Sequence, residues 1–262
     1  MRHAAKKVNW ILSTQFGFNI RRVMRSLRGM PRFLADWQQF RKVYSGEIEL
    51  QPCLYDWYEE GGSAKDEYFW QDLYVARKIF SAKPARHVDI GSRVDGFVAH
   101  VASFRNIEVF DVRPITAQIP GIIFRQADLM VVDSTLDSCC DSLSCLHALE
   151  HFGLGRYGDP LDANGSSKGL SQMAKLLRGG GIFYLAVPVG RERVVFNANR
   201  VFDPRAIVSI AADNGLDLKA FASFGPSRTL VESIDPAGDM VKLAQDDYAL
   251  GIFTFTKVTV GL

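Results

Sequence analysis

The sequence has no hydrophobic run of the roughly 18–20 residues that a transmembrane helix requires. Its first residues show neither the apolar core nor the small-residue cleavage site of a secretory signal. Cysteine is scarce, and no C-x-x-C pair of a zinc or redox site occurs among Cys53, Cys139, Cys140 and Cys145. These absences argue against a disulfide framework and predict a globular cytoplasmic protein with reduced thiols.

Acidic residues are almost missing from the start of the chain. Residues 1–45 contain ten lysines and arginines and one acid, Asp36, which gives +9, whereas the whole chain of 262 residues carries +2. Apolar residues recur at helical spacing among these cations, at Ile20, Val23, Met24 and Leu27. Pro31 interrupts the pattern, which then resumes. The segment predicts either an amphipathic anchor for an anionic membrane surface or helices packed on the main domain. A mitochondrial transit peptide is a third possibility.

Helix and strand patterns alternate from residue 66 onward. The first helix, 66–80, has candidate core residues at Phe69, Leu73, Val75, Ala76 and Ile79. Buried strands are predicted at 86–91, 107–114, 121–130, 139–149 and 182–190, with further helices at 94–104, 166–181 and 202–215. In the last of these helices Asp203 is the expected N-cap. Two strands, 216–225 and 248–260, end the chain without a helix between them.

This order predicts an α/β fold with a doubly wound, Rossmann-like, mostly parallel sheet. The last strand should be antiparallel, because no crossover helix precedes it. We assign residues 1–60 to a basic amphipathic helical segment and residues 61–262 to the Rossmann-like domain. Ligands of such sheets bind beyond the carboxyl ends of the strands.

The first predicted strand ends in a short polar turn, V-D-I-G-S-R-V-D-G. Gly91 permits a ligand to approach the backbone closely, and Ser92 offers hydrogen-bond donors. Asp111 ends the next strand twenty residues after Gly91, a spacing typical of an acid that binds ribose hydroxyls. The alternative is an ordinary β-turn and an unrelated aspartate at the same spacing, with no role in ligand binding.

The G-x-G-x-x-G motif of dinucleotide sites is absent from this turn, where Gly96 is the next glycine after Gly91. Asp89, two residues before Gly91, suits a cationic ligand better than a phosphate. A ligand with both a ribose and a cationic group points to S-adenosylmethionine. Asp128, after the third strand, is then placed to accept a hydrogen bond from the adenine amino group.

Six segments carry a resemblance to a known family: HVDIGSRVDGF, DVRP, ADLM, LHALEHFGLGRYGDP, VPVGRE and FNANRVF. Together they resemble the family of domain of unknown function 268, which is similar to class I S-adenosylmethionine-dependent methyltransferases. The resemblance implies that Asp89, Gly91 and Ser92 form the first cofactor motif, with Asp111 at the ribose and Asp128 near the adenine. Arg93 and Asp95 depart from the methyltransferase pattern, which has glycines there.

The fourth strand is followed by H-x-x-E-H, formed by His147, Glu150 and His151. Near a methyl donor, either histidine suits the general base that removes a hydroxyl proton, and Glu150 would orient it or bind a sugar hydroxyl. A zinc-hydrolase interpretation requires both histidines on one helix face and a third ligand downstream. A structural interpretation has the histidines capping a helix or bonding carbonyls.

Two polar loops are candidates for acceptor binding. Arg156 and Tyr157 lie in the first, and the second contains Asn197, Asn199 and Arg200. Amides and an arginine suit a sugar or a sugar phosphate.

The sequence therefore predicts an S-adenosylmethionine-dependent O-methyltransferase without a metal, acting on a small molecule or on a saccharide of a surface glycan. We expect it in the cytoplasm, at the inner face of a membrane if residues 1–45 bind there, with no nucleic-acid partner. The alternative, favoured by Arg93 and Asp95, is a catalytically silent binding or scaffolding module of the same fold.

Overall fold

The computed structural model describes residues 2–61, 64–131 and 133–259, and the side-chain environments from residue 9 onward. The outer ends of the predicted segments 1–60 and 61–262 therefore lie outside the described residues. The chain divides into two units, Met1–Ser63 and Ala64–Leu262. Within the described ranges, no helix has the length and hydropathy needed to span a membrane.

The first unit contains two helices, α1 (Arg2–Gln15) and α2 (Ile20–Val43). The prediction that Pro31 interrupts the second helix is wrong, because α2 continues through it. A proline inside a helix removes the donor for the carbonyl four residues earlier. Here that carbonyl belongs to Leu27, which is 62% exposed, so water can replace the missing donor.

In the part of the chain that the structure describes, the second unit contains ten strands and five α-helices. The strands are β1 (His87–Ile90), β2 (Ile107–Asp111), β3 (Ile122–Gln126), β4 (Cys140–Leu146), β5 (Leu177–Val189), β6 (Arg193–Val195), β7 (Asn199–Val201), β8 (Leu216–Phe224), β9 (Leu230–Glu232) and β10 (Ala249–Lys257). The helices are α3 (Glu67–Ala82), α4 (Ala99–Ala102), α5 (Gly165–Leu176), α6 (Pro204–Asp213) and α7 (Pro236–Leu243).

Eight strands form the central sheet in the order β3-β2-β1-β4-β5-β10-β8-β9, and β6 and β7 form a separate hairpin. Strands β1 to β5 are parallel to their neighbours within the first part of the sheet, whereas β10 is antiparallel to both β5 and β8. The predicted α/β class, the mostly parallel sheet and the antiparallel last strand are confirmed. The prediction that no helix separates the last two strands is wrong, because β9 and α7 lie between β8 and β10. Parallel strands bring the carboxyl ends of β1 to β4 to one edge, where the polar residues collect.

Local sequence patterns mispredicted two helical segments. The segment predicted as helix 94–104 begins with an irregular turn in which Gly96 has φ −124° and ψ −108°, and only α4 is regular. In α3, the predicted core residues Phe69 and Leu73 are 41% and 38% exposed, whereas Gln71 and Asp72 are buried. The inner face of α3 thus presents polar groups, because it lies beside the polar edge of the sheet and not only against its apolar core. By contrast, Asp203 caps α6 as predicted, accepting a hydrogen bond from the Arg205 amide.

Candidate active site

A pocket of about 620 Å³ opens at the carboxyl ends of β1 to β4, within the size range of small-molecule sites. Eight of the residues predicted from the sequence line it: Gly91, Ser92, Asp111, Asp128, His147, His151, Arg156 and Tyr157. The other six predicted residues are placed outside this lining: Asp89, Gly96, Glu150, Asn197, Asn199 and Arg200.

The buried carboxylate of Asp89 stabilises the turn after β1 through hydrogen bonds. Gly91 has φ +67°, and a Cβ at this position would lie 3.0 Å from the Cβ of Ala148. Asp89 is fully buried and accepts hydrogen bonds from the Ser92 amide (3.0 Å), the Ser92 hydroxyl (2.7 Å) and the Ser144 hydroxyl (2.5 Å). Burial raises the pKa of Asp89 to about 7. In this structure Asp89 therefore fixes the turn and does not face the pocket.

Asp111 lies at the end of β2 and is paired with an arginine that the sequence analysis missed. The Arg113 amide and Nε donate to Oδ1 of Asp111 at 2.8 and 3.1 Å, and Nη2 donates to Oδ2 at 2.7 Å. The Arg113 guanidinium also lies 4.3 Å from the centre of the Tyr157 ring. One Asp128 oxygen accepts a hydrogen bond from the Met130 amide at 2.8 Å. Any ribose bound at Asp111 therefore competes with Arg113.

His147 follows β4 in a left-handed conformation, with φ +53°, and its amide donates to the Ala186 carbonyl at 2.9 Å. Its Nδ1 lies 2.9 Å from Oε1 of Glu150, which is 1% exposed, and its Nε2 lies 3.5 Å from Oε1 of Glu67. Burial lowers the pKa of His147, but the hydrogen bond and charge of Glu150, aided by Glu67, outweigh it and raise the pKa overall. A neutral His147 that donates from Nδ1 to Glu150 presents Nε2 as a proton acceptor.

His151 has a different environment. Its Nδ1 donates to the Ala198 carbonyl at 2.7 Å, and Arg156 donates to the same oxygen at 2.8 Å. Its ring meets that of Tyr157 edge to face, with 5.4 Å between centroids. Burial lowers the pKa of His151. His151 thus ties the loop after β4 to the β6–β7 hairpin.

Comparison with known protein families finds one match. The family described as Caenorhabditis protein of unknown function, DUF268, matches residues 126–217, about a third of the chain. The predicted resemblance to that family is confirmed. Comparison with curated protein sequences finds no match.

Two solved structures show the fold. The [4+2]-cyclase SpnF shares 15% identity over 76% of this chain and 86% of its own, with a TM-score of 0.53. A putative sarcosine dimethylglycine methyltransferase from Galdieria sulphuraria shares 11% identity over 72% of this chain and 85% of its own, with a TM-score of 0.51. The chain has the Rossmann-like methyltransferase fold.

The two residues that depart from the methyltransferase pattern pair with each other. Arg93 donates to the two carboxylate oxygens of Asp95 at 3.1 and 2.9 Å, and both side chains are exposed. Gly96, the other glycine of this turn, faces α3, since a Cβ there would lie 2.6 Å from Oδ2 of Asp72. Burial raises the pKa of Asp72 to about 6. The two substitutions therefore stay at the rim of the pocket in this methyltransferase fold.

The zinc-hydrolase interpretation lacks its geometric basis. It requires two histidines on one helix face, but only a short 3₁₀ turn, Leu149–His151, is present, and His147 precedes it with a left-handed backbone. Among the residues that the structure describes, no group of three or more His, Cys, Asp or Glu side chains is arranged to hold a metal ion. The H-x-x-E-H residues instead place Nδ1 of His147 against Glu150 and Nδ1 of His151 against the Ala198 carbonyl.

Arg200 is placed behind the loop after β4 and not in the pocket. It is 7% exposed, and its guanidinium donates to the carbonyls of Glu150, Phe152, Asp162 and Ala163. Asn199 bonds the Arg200 carbonyl at 2.9 Å, and Asn197 lies exposed in the β6–β7 turn. Arg200, from the second predicted acceptor loop, thus stabilises the first loop, which contains Arg156 and Tyr157.

Helix α3 also contributes to this site, which was not predicted from the sequence. The Tyr68 ring lies 4.5 Å from the His147 ring, and burial raises the pKa of Tyr68 to about 12. Glu67 accepts a hydrogen bond from the Tyr248 hydroxyl at 2.5 Å on the other side of the histidine. The N-cap at Asp66 marks the start of this helix in the sequence, but no local signal indicates that its first turn meets β4.

Glu67→Gln should shift the pH dependence of turnover. If His147 acts as a base, kcat/KM rises with pH as its imidazolium loses a proton. The Glu67 carboxylate stabilises that imidazolium, so its removal lowers the pKa of His147 and moves the rising limb to lower pH, by roughly one unit. A pH profile of kcat/KM measures the shift. Glu232→Gln, a carboxylate held by Tyr74 and Lys78, is the matched control. If the rising part of the kcat/KM profile of Glu67→Gln stays at the wild-type pH, the assignment of His147 as the base is contradicted.

Proposed function

We propose that this protein is an S-adenosylmethionine-dependent O-methyltransferase. The carrying observation is that Gly91, Asp111 and His147, which come from three different strand ends, line one pocket, with Glu150 paired to His147. Gly91 has no side chain between its backbone and a ligand, and Asp111 lines the same space. These residues fit the cofactor, which when bound supplies an electrophilic methyl group.

Each residue has a defined task in this proposal. Gly91 and Ser92 would bind the end of the cofactor nearest the turn. Asp111 would accept hydrogen bonds from the ribose hydroxyls, and Asp128 would accept one from the adenine amino group. Because Arg113 bonds Asp111, it must release at least part of that pairing when the ribose binds. Asp89 acts through Ser92 by fixing the shape of the turn.

His147 is the proposed general base. Glu150 would hold the proton on Nδ1, so that Nε2 can accept a proton from the acceptor hydroxyl. Tyr68 covers one face of the imidazole and limits its contact with water. Once protonated, the imidazolium would be stabilised by Glu150 and Glu67. Of the two candidate histidines, His147 is favoured because the carboxylates of Glu150 and Glu67 stabilise its imidazolium and raise its pKa, whereas burial lowers the pKa of His151.

The acceptor we propose is a small hydroxylated molecule, and more specifically a saccharide of a surface glycan. Arg156 and Tyr157 line the pocket edge and offer a guanidinium and an aromatic hydroxyl. Such groups bind sugars and sugar phosphates. A saccharide built on a lipid carrier would bring the enzyme to a membrane, the partner that the basic residues 1–45 favour.

A catalytically silent module is the second candidate. The observation that favours it is the pairing of Asp111 with Arg113, which engages both carboxylate oxygens. A related fold does not fix the reaction, since one solved structure of this fold is a [4+2]-cyclase. Cofactor binding separates the two candidates.

Asp111→Ala should weaken S-adenosylmethionine binding by roughly 1–3 kcal/mol, because the ribose hydroxyls lose their acceptor. Titration calorimetry of both proteins measures the difference. Asp213→Ala, an exposed aspartate at the end of α6, is the control and should bind like the wild type. Absence of binding by the wild type at millimolar cofactor supports the silent module. Equal binding by Asp111→Ala removes the ribose role from Asp111.

A further inference from the structure

Helix α2 is packed within its own unit through one face only. On that face Gly29 lies against the carbonyl of Leu54, Phe33 and Trp37 are half-buried, and the Arg22 guanidinium lies 4.0 Å from the centre of the Tyr55 ring. The packing partner is the segment that follows the helix. The helical period places these α2 residues within about a quarter of the helix circumference.

A different face of α2 carries a continuous apolar stripe. The stripe consists of six residues, Ile20, Val23, Met24, Leu27, Met30 and Leu34, which are 49%, 41%, 63%, 62%, 38% and 43% exposed. At 100° per residue they occupy an arc of about 120° and extend along four turns. Because the packed face is elsewhere, this stripe is not the core side of the helix. Exposed contiguous apolar surface of this kind marks an interaction site.

Basic residues border the apolar stripe. Arg21, Arg25, Arg28 and Arg32 occupy an adjoining arc of about 60°, between the apolar stripe and the packed face. Some of this charge is balanced within the unit, since Arg25 pairs with Glu59 at 2.6 Å and Arg32 with Asp36 at 3.3 Å. Both pairs are largely exposed, and α2 still carries seven basic residues against one acid. The helix therefore presents a positive potential beside its apolar stripe.

We propose that the apolar stripe of α2 docks into the surface of an anionic lipid bilayer, with the adjoining arginines at the level of the lipid phosphates. At 1.5 Å per residue the 24-residue helix is about 36 Å long, and its charges require it to lie in the plane of the surface. Exposed aromatic side chains near its start, Trp10, Phe16 and Phe18, suit the same interface. This inference does not depend on the proposed methyltransferase activity.

Charge decides against a second copy of the chain as the occupant. Pairing two α2 helices through their stripes would bring together two helices that each carry seven basic residues and one acid, which is unfavourable. An anionic bilayer offers both an apolar layer for the stripe and a negative surface for the arginines. The bilayer is thus the partner that complements both features at once.

Vesicle sedimentation of the full chain tests the proposal. The wild type should bind vesicles of equimolar phosphatidylcholine and phosphatidylglycerol, bind pure phosphatidylcholine much more weakly, and be partly released by high salt. Leu27→Glu should lower the partition coefficient roughly tenfold or more, since it removes a buried leucine and adds a charge of the wrong sign. Ile234→Glu makes the same change at a fully exposed position of the other unit and should bind like the wild type.

Each remaining outcome overturns the proposal. These are the absence of sedimentation, equal binding to neutral and anionic vesicles, and wild-type binding by Leu27→Glu. A wild type that is dimeric in solution and becomes monomeric in Leu27→Glu would assign the stripe to self-association. Circular dichroism checks that both variants fold, and Leu27 is exposed enough to accept the change.

Discussion

His147→Ala lowers turnover by about 10²–10⁴-fold and leaves the affinity for S-adenosylmethionine nearly unchanged, if His147 is the base. The reason is that the imidazole takes a proton from the acceptor and contributes little to holding the cofactor. Its Nδ1 is occupied by Glu150, and Nε2 is buried without a hydrogen-bond partner in the structure. Single-turnover rates and calorimetric titration of the same preparation measure the two quantities separately.

His151→Ala is the control for this experiment. His151 bonds the Ala198 carbonyl, so its loss should lower the melting temperature more than it lowers turnover. If His151→Ala loses activity as strongly as His147→Ala while its melting temperature is unchanged, the two roles are reversed. Full turnover in both variants removes histidine catalysis from the mechanism. Proportional loss of stability and activity in His147→Ala makes that histidine structural.

Arg200→Met destabilises the protein by about 2–4 kcal/mol, because several backbone carbonyls lose a buried donor at once. Methionine keeps much of the volume of the side chain but donates no hydrogen bond. The carbonyls belong to residues 150–163, so the loop that carries Arg156 and Tyr157 should open first. Urea unfolding measures the free energy, and hydrogen exchange of residues 152–163 measures the local opening.

Asn197→Ala is the matched control, since Asn197 is exposed in the same hairpin. Its free energy of unfolding should change by less than about 0.5 kcal/mol. An acceptor-binding role for Arg200 makes the opposite forecast, a raised KM with unchanged stability. That pattern in Arg200→Met would return Arg200 to the acceptor site.

Much of the helix and strand order could be predicted from the sequence because local signals specify it. Alternation of apolar runs with amphipathic segments indicated the doubly wound sheet. The antiparallel direction of β10 was predicted correctly but from a wrong premise, because β9 and the short helix α7 lie between β8 and β10. The N-cap at Asp203 was equally local. The prediction at Pro31 was wrong, because the free-energy cost of a proline inside a helix depends on whether water reaches the carbonyl that loses its donor. Here that carbonyl belongs to Leu27, and its exposure is set by the folded structure and not by the local sequence.

The pocket lining could also be predicted in outline, since it comes from the ends of predicted strands. Gly91 and His147 each follow a strand directly, Asp111 ends one, and Asp128 comes two residues after β3. Parallel strands must bring such residues to one edge. The role of each residue there could not be predicted, because its side-chain partners, whether near or distant in the chain, depend on the folded backbone. Arg113 at Asp111 and Glu67 at His147 became visible only in the folded protein.

The sequence by itself determined the sheet, the edge at which polar residues gather and the charge of the first 45 residues, since these follow from apolar spacing and composition. Only the tertiary structure decided that the side chains of Asp89 and Arg200 are buried. It also decided that His147 pairs with Glu150 whereas His151 bonds a carbonyl. Finally, it decided that α2 packs through a face other than its apolar stripe. The physical reason is that a polar side chain is satisfied by whichever donors and acceptors the fold brings to it, often from more than forty residues away.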